Sequence, residues 1–225
     1  METYAALRRR RMVRSFEDRP VEAAILERVV DAGLRGPSAG HTQAIELLVL
    51  TAAADRAAFW EAETDGAWRD AHPGHARTRR APAIVLPLTG PRPYLERYSA
   101  PDKAGSGLAA EEAWPLPYWW FDAGAAVMAV LLAAADEGLA ALLMGVFRGE
   151  PALRARFGYP EHLRPAGALL LGWPGGGEVA SPSLARGRRP AAERIHAGRY
   201  GSPAAGTGGD GAGGDGTGGD GAGGD

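Results

Sequence analysis

The feature that most constrains the fold of this sequence is an alanine-rich apolar stretch, Ala123–Ala135. Asp122 is predicted to cap a helix over this stretch, and Gly138 is predicted to end it. Such a helix is apolar around most of its circumference, so it has to be buried on several sides. The stretch is too short and too rich in alanine to span a bilayer. We therefore predict a buried helix of a folded domain and no membrane partner.

Shorter patterns on both sides of this helix predict a mixture of helices and strands. Helical spacing and capping residues predict further helices at Tyr4–Arg11, residues 21–30, Ala53–Trp68 and Pro151–Phe157. Short apolar runs predict four strands: Ile45–Leu50, Ala83–Leu88, Ala140–Val146 and Ala166–Gly172. Pro87 would suit the end or an edge of its strand, because proline has no N–H to donate. Without a repeated strand–helix unit, this order predicts an α+β layered domain.

A glycine- and aspartate-rich repeat sets residues 201–225 apart from the rest of the chain. It holds 13 of the 33 glycines and four aspartates, and it contains no lysine or arginine. Such a repeat cannot bury enough apolar surface to offset the entropy lost on ordering, so it predicts a flexible tail. A calcium-binding repeat is the alternative, but the apolar residue with which such repeats stack is missing. Residues 1–200 are the predicted folded domain.

Charge and cysteine content exclude several classes of function. Residues 1–200 carry 25 basic and 23 acidic residues, and this net charge of +2 is too small to indicate nucleic acid as a partner. Because the chain has no cysteine, disulfides, cysteine-ligated zinc and thiolate catalysis are excluded. His72 and His75 have no carboxylate at a ligand spacing, so no metal site is predicted. No secretory signal is visible, and we expect a cytoplasmic protein.

Arginines gather near both ends of the predicted domain. Arg8–Arg11 and Arg14 place five guanidinium groups within seven positions, and Arg186, Arg188 and Arg189 form a second cluster. Guanidinium groups bind phosphates bidentately and keep their charge, so the two clusters could together hold a phosphate. Exposed ion pairs on the surface are the alternative that the residues alone leave open.

The first arginine cluster resembles the start of the nitroreductase family of flavin mononucleotide (FMN) oxidoreductases. Arg10 and Arg14 match the basic positions of the family's Arg-x-Ser-x-Arg/Lys motif, which holds the FMN phosphate and ribityl chain. Met12 stands where the family has serine. The resemblance therefore implies that Arg11 or Ser15 substitutes for the serine, or that the flavin is held more weakly.

The small-residue turn at 37–43 is similar to the family's Pro-Ser-x-x-Asn-x-Gln turn, with His41 in the asparagine position. The resemblance implies that this turn contacts the flavin of the partner subunit through its backbone. The residues to which this role is carried over are Pro37, Ser38, Ala39, His41 and Gln43.

Two later segments complete the resemblance, which covers about residues 4–200 with gaps at 60–78 and 90–117. The strand that runs into Met144 and Gly145 resembles the family strand whose backbone N–H lies near flavin N5 and O4. The segment from Arg186 through Arg188 to Pro190 is similar to the family's C-terminal Lys/Arg-x-Arg-x-Pro element, which closes on the phosphate.

The resemblance implies a mostly antiparallel central sheet flanked by helices, in an intertwined homodimer with FMN at the interface. Hydride would pass from NADH or NADPH to flavin N5 and then to an oxidised small-molecule acceptor, such as a nitroaromatic or a quinone, without a catalytic side chain. The same fold supports flavin-dependent dehalogenation and flavin fragmentation, which are the alternatives among enzymes. A non-catalytic flavin-binding module is the alternative from another class.

Two variable segments leave their roles open. The proline- and aromatic-rich insert at 90–120 is predicted to be a loop or a lid. Its aromatic residues would either form the wall of a substrate pocket or pack at the helix start or a dimer interface. The candidate substrate-binding residues are Trp114, Tyr118, Trp119 and Trp120. The polar arm at 178–200 is predicted to lie across the partner subunit.

We predict that the glycine- and aspartate-rich tail is dispensable, because beyond Pro203 it has no apolar residue larger than alanine. Deleting residues 204–225 should leave the melting temperature and the flavin content unchanged, as measured by differential scanning calorimetry and absorbance. A substantial loss of either that calcium restores would support the repeat as a binding site instead.

Overall fold

The computed structural model describes residues 2–64, 67, 73–178 and 181–203. Internal contacts divide the chain into two compact units, Met1–Val179 and Ala180–Asp225. Residues 204–225, and with them most of the tail that the sequence predicts to be flexible, lie outside the described residues.

An antiparallel sheet forms the centre of the first unit. Its strands are β1 (Glu46–Leu50), β2 (Ala83–Thr89), β3 (Ala140–Met144), β4 (Arg164–Pro165) and β5 (Ala168–Gly172). The strands lie in the order β1-β2-β5-β3, and the two-residue β4 pairs with the end of β2. Every pairing between these strands is antiparallel. The sheet confirms the four predicted strands, while β4 was not anticipated.

Helices cover both faces of this sheet. Among the described residues, the α-helices with defined bounds are α1 (Thr3–Arg9), α2 (Ala23–Asp31), α3 (Ala53–Glu63), α4 (Arg92–Tyr98), α5 (Tyr118–Asp136) and α6 (Glu150–Phe157). Helices α2 and α5 pack against one face of the sheet, and α3 and α6 pack against the other. The prediction for α3 extended to Trp68, but the helix ends at Glu63 and Thr64 is extended; residues 65, 66 and 68 lie outside the described residues.

Strand β2 is buried on both faces, and its side chains alternate between the two layers. Ala83 and Val85 contact the core beneath α2 and α5, whereas Ile84 and Leu86 contact the core beneath α3 and α6. All seven residues of β2 are buried. Because both faces of β2 are covered, neither face needs polar side chains, which explains the continuous apolar sequence of this strand.

Pro87 lies inside the central strand β2, not at an end or an edge of the sheet as the sequence suggested. Its carbonyl accepts a hydrogen bond from Ala166 N–H at 2.8 Å. In antiparallel pairs the N–H and C=O of one residue point toward the same neighbour, so the missing N–H faces this side as well. There, Leu86 and Pro87 oppose three residues, 166–168, which is a β-bulge. Proline is tolerated because ladder bonds are already interrupted at the bulge.

Helix α5 is the predicted apolar helix, and it begins five residues earlier than expected. It starts at Tyr118 after Pro117, and Asp122 lies inside it and makes no capping hydrogen bond. Gly138, with φ +76°, follows its end as predicted. At 19 residues the helix is long and apolar enough to match a membrane span by length and composition, which corrects the expectation that it is too short. Its packing against the sheet and α2 accounts for the same composition.

The 90–120 insert forms short packed helices instead of an irregular loop, and its role as a lid stays a prediction. It contains α4 and two 3₁₀ helices, Pro101–Ser106 and Glu111–Ala113. Tyr94, Trp114 and Trp119 are buried together against Ala44 in a third hydrophobic cluster. The aromatic rings meet mainly at steep angles, as between Tyr94 and Trp114, whose centroids lie 6.1 Å apart. Aromatic packing therefore orders a segment that its prolines made look irregular.

Residues 181–203 belong to the second unit and contain two short 3₁₀ helices, Pro182–Arg186 and Ala191–Glu193. Arg189 pairs with Glu193 at 3.2 Å, on the surface. The predicted contact of this arm with a partner subunit stays a prediction.

Candidate cofactor site

The arginine-rich amino-terminal segment runs along the outer edge of β3. Val13 N–H donates a hydrogen bond to the Ala141 carbonyl at 2.9 Å, and Met12 forms a parallel bridge with Ala141. Leu143 N–H, farther along the same edge, donates to the Met12 sulfur at 3.3 Å. The residue that departs from the family motif therefore satisfies a backbone donor of β3. The segment brings Arg14 toward the carboxyl end of that strand.

The backbone of Arg14 is held from two sides. Its N–H donates to both carboxylate oxygens of Glu178, each at 2.9 Å. Its carbonyl accepts a hydrogen bond from the Thr78 hydroxyl at 2.8 Å. Because the backbone is fixed, the guanidinium group starts from a defined position.

A cavity of about 560 Å³ lies at the carboxyl end of β3, and we call it the β3 cavity. It brings together three of the predicted site residues, Arg14, Met144 and Gly145. Its remaining lining residues are Trp60, Glu63, Thr64, His75, Thr78, Leu142, Leu143, Phe147 and Arg148. The volume is in the range that small-molecule and cofactor sites occupy in proteins.

The β3 cavity combines aromatic surface with cationic groups. The Trp60 side chain is buried, and its Nε1–H is without a hydrogen-bond partner among the described residues. A side chain at Gly145 would meet the ring of Phe147, which is 89% exposed. Arg14 and Arg148 supply the cations. Such a site suits a planar, anionic ligand.

Arg10 and Arg11 lie at a separate hollow of about 150 Å³ near the start of β3, beside Gly138. The Nε of Arg10 is buried and has no hydrogen-bond partner in the described part of the chain. Ser15 is buried, and its hydroxyl donates to the Gly176 carbonyl at 2.8 Å. Neither Arg11 nor Ser15 lines the β3 cavity, and a substitution of either for the serine that Met12 replaces stays a prediction.

A buried carboxylate holds the 37–43 turn. Asp122 Oδ2 accepts hydrogen bonds from Ala39 N–H at 2.9 Å and from the Tyr94 hydroxyl at 2.7 Å. Burial, followed by the hydrogen bond to Asp122, raises the pKa of Tyr94 well above its usual range, so the phenol remains a donor. The Ser38 hydroxyl accepts from Gln43 N–H at 2.8 Å and closes the turn. The insert thus supports the turn through Tyr94.

The backbone of this turn is left-handed at three positions. Gly40 has φ +61°, and the non-glycine residues His41 and Gln43 have φ +56° and +53°. Asparagine adopts this conformation more readily than histidine or most other residues do. The asparagine that the family motif has at this position would therefore adopt the left-handed backbone readily. His41 adopts the same backbone with more strain than asparagine would.

The turn lines a different cavity from the arginine motif. Pro37, Ser38 and Gln43 line a hollow of about 480 Å³ next to Asp122. This hollow shares no lining residue with the β3 cavity. Within one chain, the 37–43 turn and the group of Arg14, Met144 and Gly145 therefore line separate cavities.

The four candidate substrate residues also divide. Trp114 and Trp119 are only 8% and 5% exposed, and the Trp114 Nε1–H donates to the Leu108 carbonyl at 2.9 Å. These two residues pack within the insert and line neither of the two larger cavities described above, which favours the packing interpretation for them. Tyr118 and Trp120 are partly exposed at the start of α5. A role for these two in a substrate pocket stays a prediction, as does the phosphate role of Arg186 and Arg188.

The model of the nitroreductase family matches residues 7–173, more than half of the chain. The chain belongs to the nitroreductase family. A protein of Methanothermobacter thermautotrophicus whose name contains the words NAD(P)H nitroreductase is 25% identical over 177 residues, which make up 77% of this chain and 78% of that protein.

Solved structures of other nitroreductase-fold proteins confirm the predicted fold. NfrA2 of B. megaterium superposes with a TM-score of 0.66 at 20% identity, over 89% of this chain and 75% of that chain. A nitroreductase with bound FMN from Bacteroides fragilis superposes with a TM-score of 0.56 at 21% identity, over 80% of this chain and 92% of that chain. An α+β architecture with an antiparallel sheet is common to this nitroreductase fold and to the present chain.

Several residues of the β3 cavity gave no signal in the sequence. Trp60, Glu63 and Thr78 fall in the 60–78 gap of the family resemblance, and no motif contains them. The helix dipole disfavours an acidic residue at the carboxyl terminus of a helix, so Glu63 would have been a candidate if the end of α3 had been predicted correctly. The predicted helix extended to Trp68, so this position looked like a helix interior.

We expect Asp122 to be essential for the shape of the 37–43 turn. Asp122→Ala leaves the N–H of Ala39 and the hydroxyl of Tyr94 without an acceptor, and it should lower the free energy of unfolding by about 2–4 kcal/mol. Urea denaturation measures this change. Asp136→Ala, an exposed position on the same helix, is the control and should stay within about 0.5 kcal/mol of wild type. Equal effects of the two substitutions would contradict a supporting role for Asp122.

Proposed function

We propose that this protein is an FMN-dependent oxidoreductase that takes hydride from NADH or NADPH and reduces an oxidised small molecule, such as a nitroaromatic or a quinone. The observation that carries the proposal is the β3 cavity, where Arg14 meets Met144 and Gly145 in a chain whose residues 7–173 match the nitroreductase family. The name of one relative contains NAD(P)H nitroreductase, and one structural neighbour binds FMN. We further propose that the protein acts in the cytoplasm.

The residues of the β3 cavity fit a flavin. The Trp60 Nε1–H is a buried donor that lacks a partner among the described residues, and Gly145 leaves its backbone without a side chain. When bound, FMN supplies hydride acceptance and donation at its N5 atom. Arg14 would stabilise the negative charge that the reduced ring gains, since a cation favours the more anionic state. No side chain has to act as a nucleophile or general base.

The phosphate of FMN would bind to arginines outside the β3 cavity. Arg10, whose buried Nε lacks a partner in the described part of the chain, is the first candidate. Arg186 and Arg188 are exposed, and we propose that they also bind the phosphate. A phosphate dianion is bound most strongly by several guanidinium groups at once.

We propose that the working form is a homodimer. The 37–43 turn and the β3 cavity share no lining residue in one chain, so both could contact one flavin if each came from a different subunit. An apolar strip on α5 that is not fully covered would provide the interface: Phe121, Gly124, Ala125, Met128 and Leu132. These residues recur at a spacing of three or four and share one helix face.

We predict that the purified protein contains FMN and that two arginines retain it. The hydrogen bonds of Arg14 to the described residues use its backbone, and its side chain donates none to them, so loss of the side chain should leave the fold intact. Each charge-assisted contact contributes about 1.5–3 kcal/mol, so Arg14→Ala with Arg188→Ala should raise the Kd for FMN by about a hundredfold or more. Absorbance and chromatography of the released flavin measure this.

Arg35→Ala is the control, because Arg35 pairs with Asp31 on the surface just after α2 and lines neither of the two larger cavities. Release of a dinucleotide flavin on denaturation, or a colourless protein that FMN does not reconstitute, would overturn the cofactor assignment.

Bleaching of the bound flavin by NADPH separates a reductase from a non-catalytic flavin-binding module. Turnover of a halogenated phenol in place of a nitroaromatic would favour the dehalogenase alternative.

We also predict that Gly124→Leu dissociates the dimer. A Cβ atom at Gly124 meets nothing within 4 Å in the single chain, so the monomer should fold normally. Light scattering should then give half the wild-type mass. Gly105→Leu, at a glycine that is equally open but lies in the insert, should keep the wild-type mass. A wild-type protein that is a stable, flavin-loaded monomer at micromolar concentration would contradict the dimer.

A further inference from the structure

A buried carboxylate belongs to the β3 cavity and has no part in the proposed function so far. Glu63, the last residue of α3, is 7% exposed. Its Oε1 accepts a hydrogen bond from Gly149 N–H at 2.9 Å, and its Oε2 accepts one from Phe147 N–H at 3.3 Å. Both oxygens therefore bind the turn that follows Gly145.

This position is unfavourable for a negative charge. The carboxyl end of a helix carries partial negative charge, which repels a carboxylate in its last turn. Burial adds a further cost that only specific hydrogen bonds or charges offset. A glutamine of the same shape would avoid the charge, but it could accept only one of the two N–H groups. The two bonds to the 145–149 turn are the compensation that the structure provides.

Gly149 allows the turn to approach Glu63 this closely. A Cβ atom at Gly149 would lie 2.6 Å from the Ala62 carbonyl oxygen and 2.6 Å from Glu63 Oε1. The first of these atoms is backbone and cannot move aside easily. The turn is therefore packed directly onto the end of α3, and Gly145 at its other end lines the cavity.

We propose that Glu63 is a positioning residue that holds the 145–149 turn against the flavin and lowers the reduction potential of the flavin through its charge. The proposal rests on the proposed binding of FMN in the β3 cavity. Arg14 and Glu63 then act in opposite directions, since a cation favours the reduced, more anionic flavin and a buried carboxylate opposes it. The lower reduction potential would keep the reduced flavin a strong enough hydride donor to reduce the acceptor.

The test compares Glu63→Gln with Glu61→Gln, which changes an exposed residue on the same helix. In Glu63→Gln, bound FMN should have a higher midpoint potential, by about 30 mV, which corresponds to a tenfold gain in affinity for reduced over oxidised flavin. Glu61→Gln should match wild type. A potential that is unchanged or lower in folded, FMN-loaded Glu63→Gln overturns the proposal.

Hydrogen exchange of the flavin-free protein tests the positioning independently of FMN. At least one of the amides of Phe147 and Gly149, the one that the glutamine cannot accept, should exchange at least tenfold faster in Glu63→Gln than in wild type or Glu61→Gln. Glu63→Asp keeps the charge but shortens the side chain, so it should speed the same exchange while leaving the potential close to wild type. If Glu63→Gln does not fold, Glu63→Asp decides: unchanged exchange overturns the positioning role. Failure of wild type to bind FMN would instead refute the proposed function, and the exchange rates would still decide whether Glu63 holds the turn.

Discussion

The hydrogen bond from Val13 N–H to the Ala141 carbonyl is the contact on which the candidate site depends. It joins the amino-terminal segment to the edge of β3, two parts of the chain that are far apart in sequence. Without this pairing, the edge of β3 would be open to other chains. Arg14 would then be an ordinary exposed arginine that is not held at the β3 cavity. Because the pairing is parallel and in register, it brings Arg14 to the end of β3, where Met144 and Gly145 lie.

Two buried carboxylates shape the loops at the two cavities. Asp122 accepts the N–H of Ala39, and Glu63 accepts those of Phe147 and Gly149. In each case a long-range side chain, supplied by a helix, satisfies backbone donors that no strand or helix would satisfy. Loops held in this way need little further ordering when a ligand arrives, which lowers the entropic cost of binding. The helices that carry these carboxylates, α3 and α5, pack against the sheet, so the positions of the loops are fixed relative to the sheet.

Local sequence patterns predicted most strands and helices, because apolar spacing reflects which face of an element is buried. The family motif likewise predicted that Arg14 and Gly145 act together. Asp122 and Glu63 were misread or missed because their partners lie far away in the chain, and no local pattern records such a contact. The insert looked irregular from its prolines, since the mutual packing of Tyr94, Trp114 and Trp119 becomes visible only in three dimensions.

The bulge opposite Pro87 has a consequence for how the sheet selects its alignment. In most sheets a slip of one residue is prevented because it would turn an apolar face toward water. Strand β2 is apolar on both faces, so hydrophobicity alone distinguishes poorly between its true pairing and a slipped one. In the observed alignment, the residue without an N–H lies where an extra residue at 166–168 already interrupts the ladder, and a slipped alignment would place Pro87 opposite a regular part of the ladder. Pro87 thus favours the correct register of β2, which the burial of apolar side chains on both faces does not specify by itself.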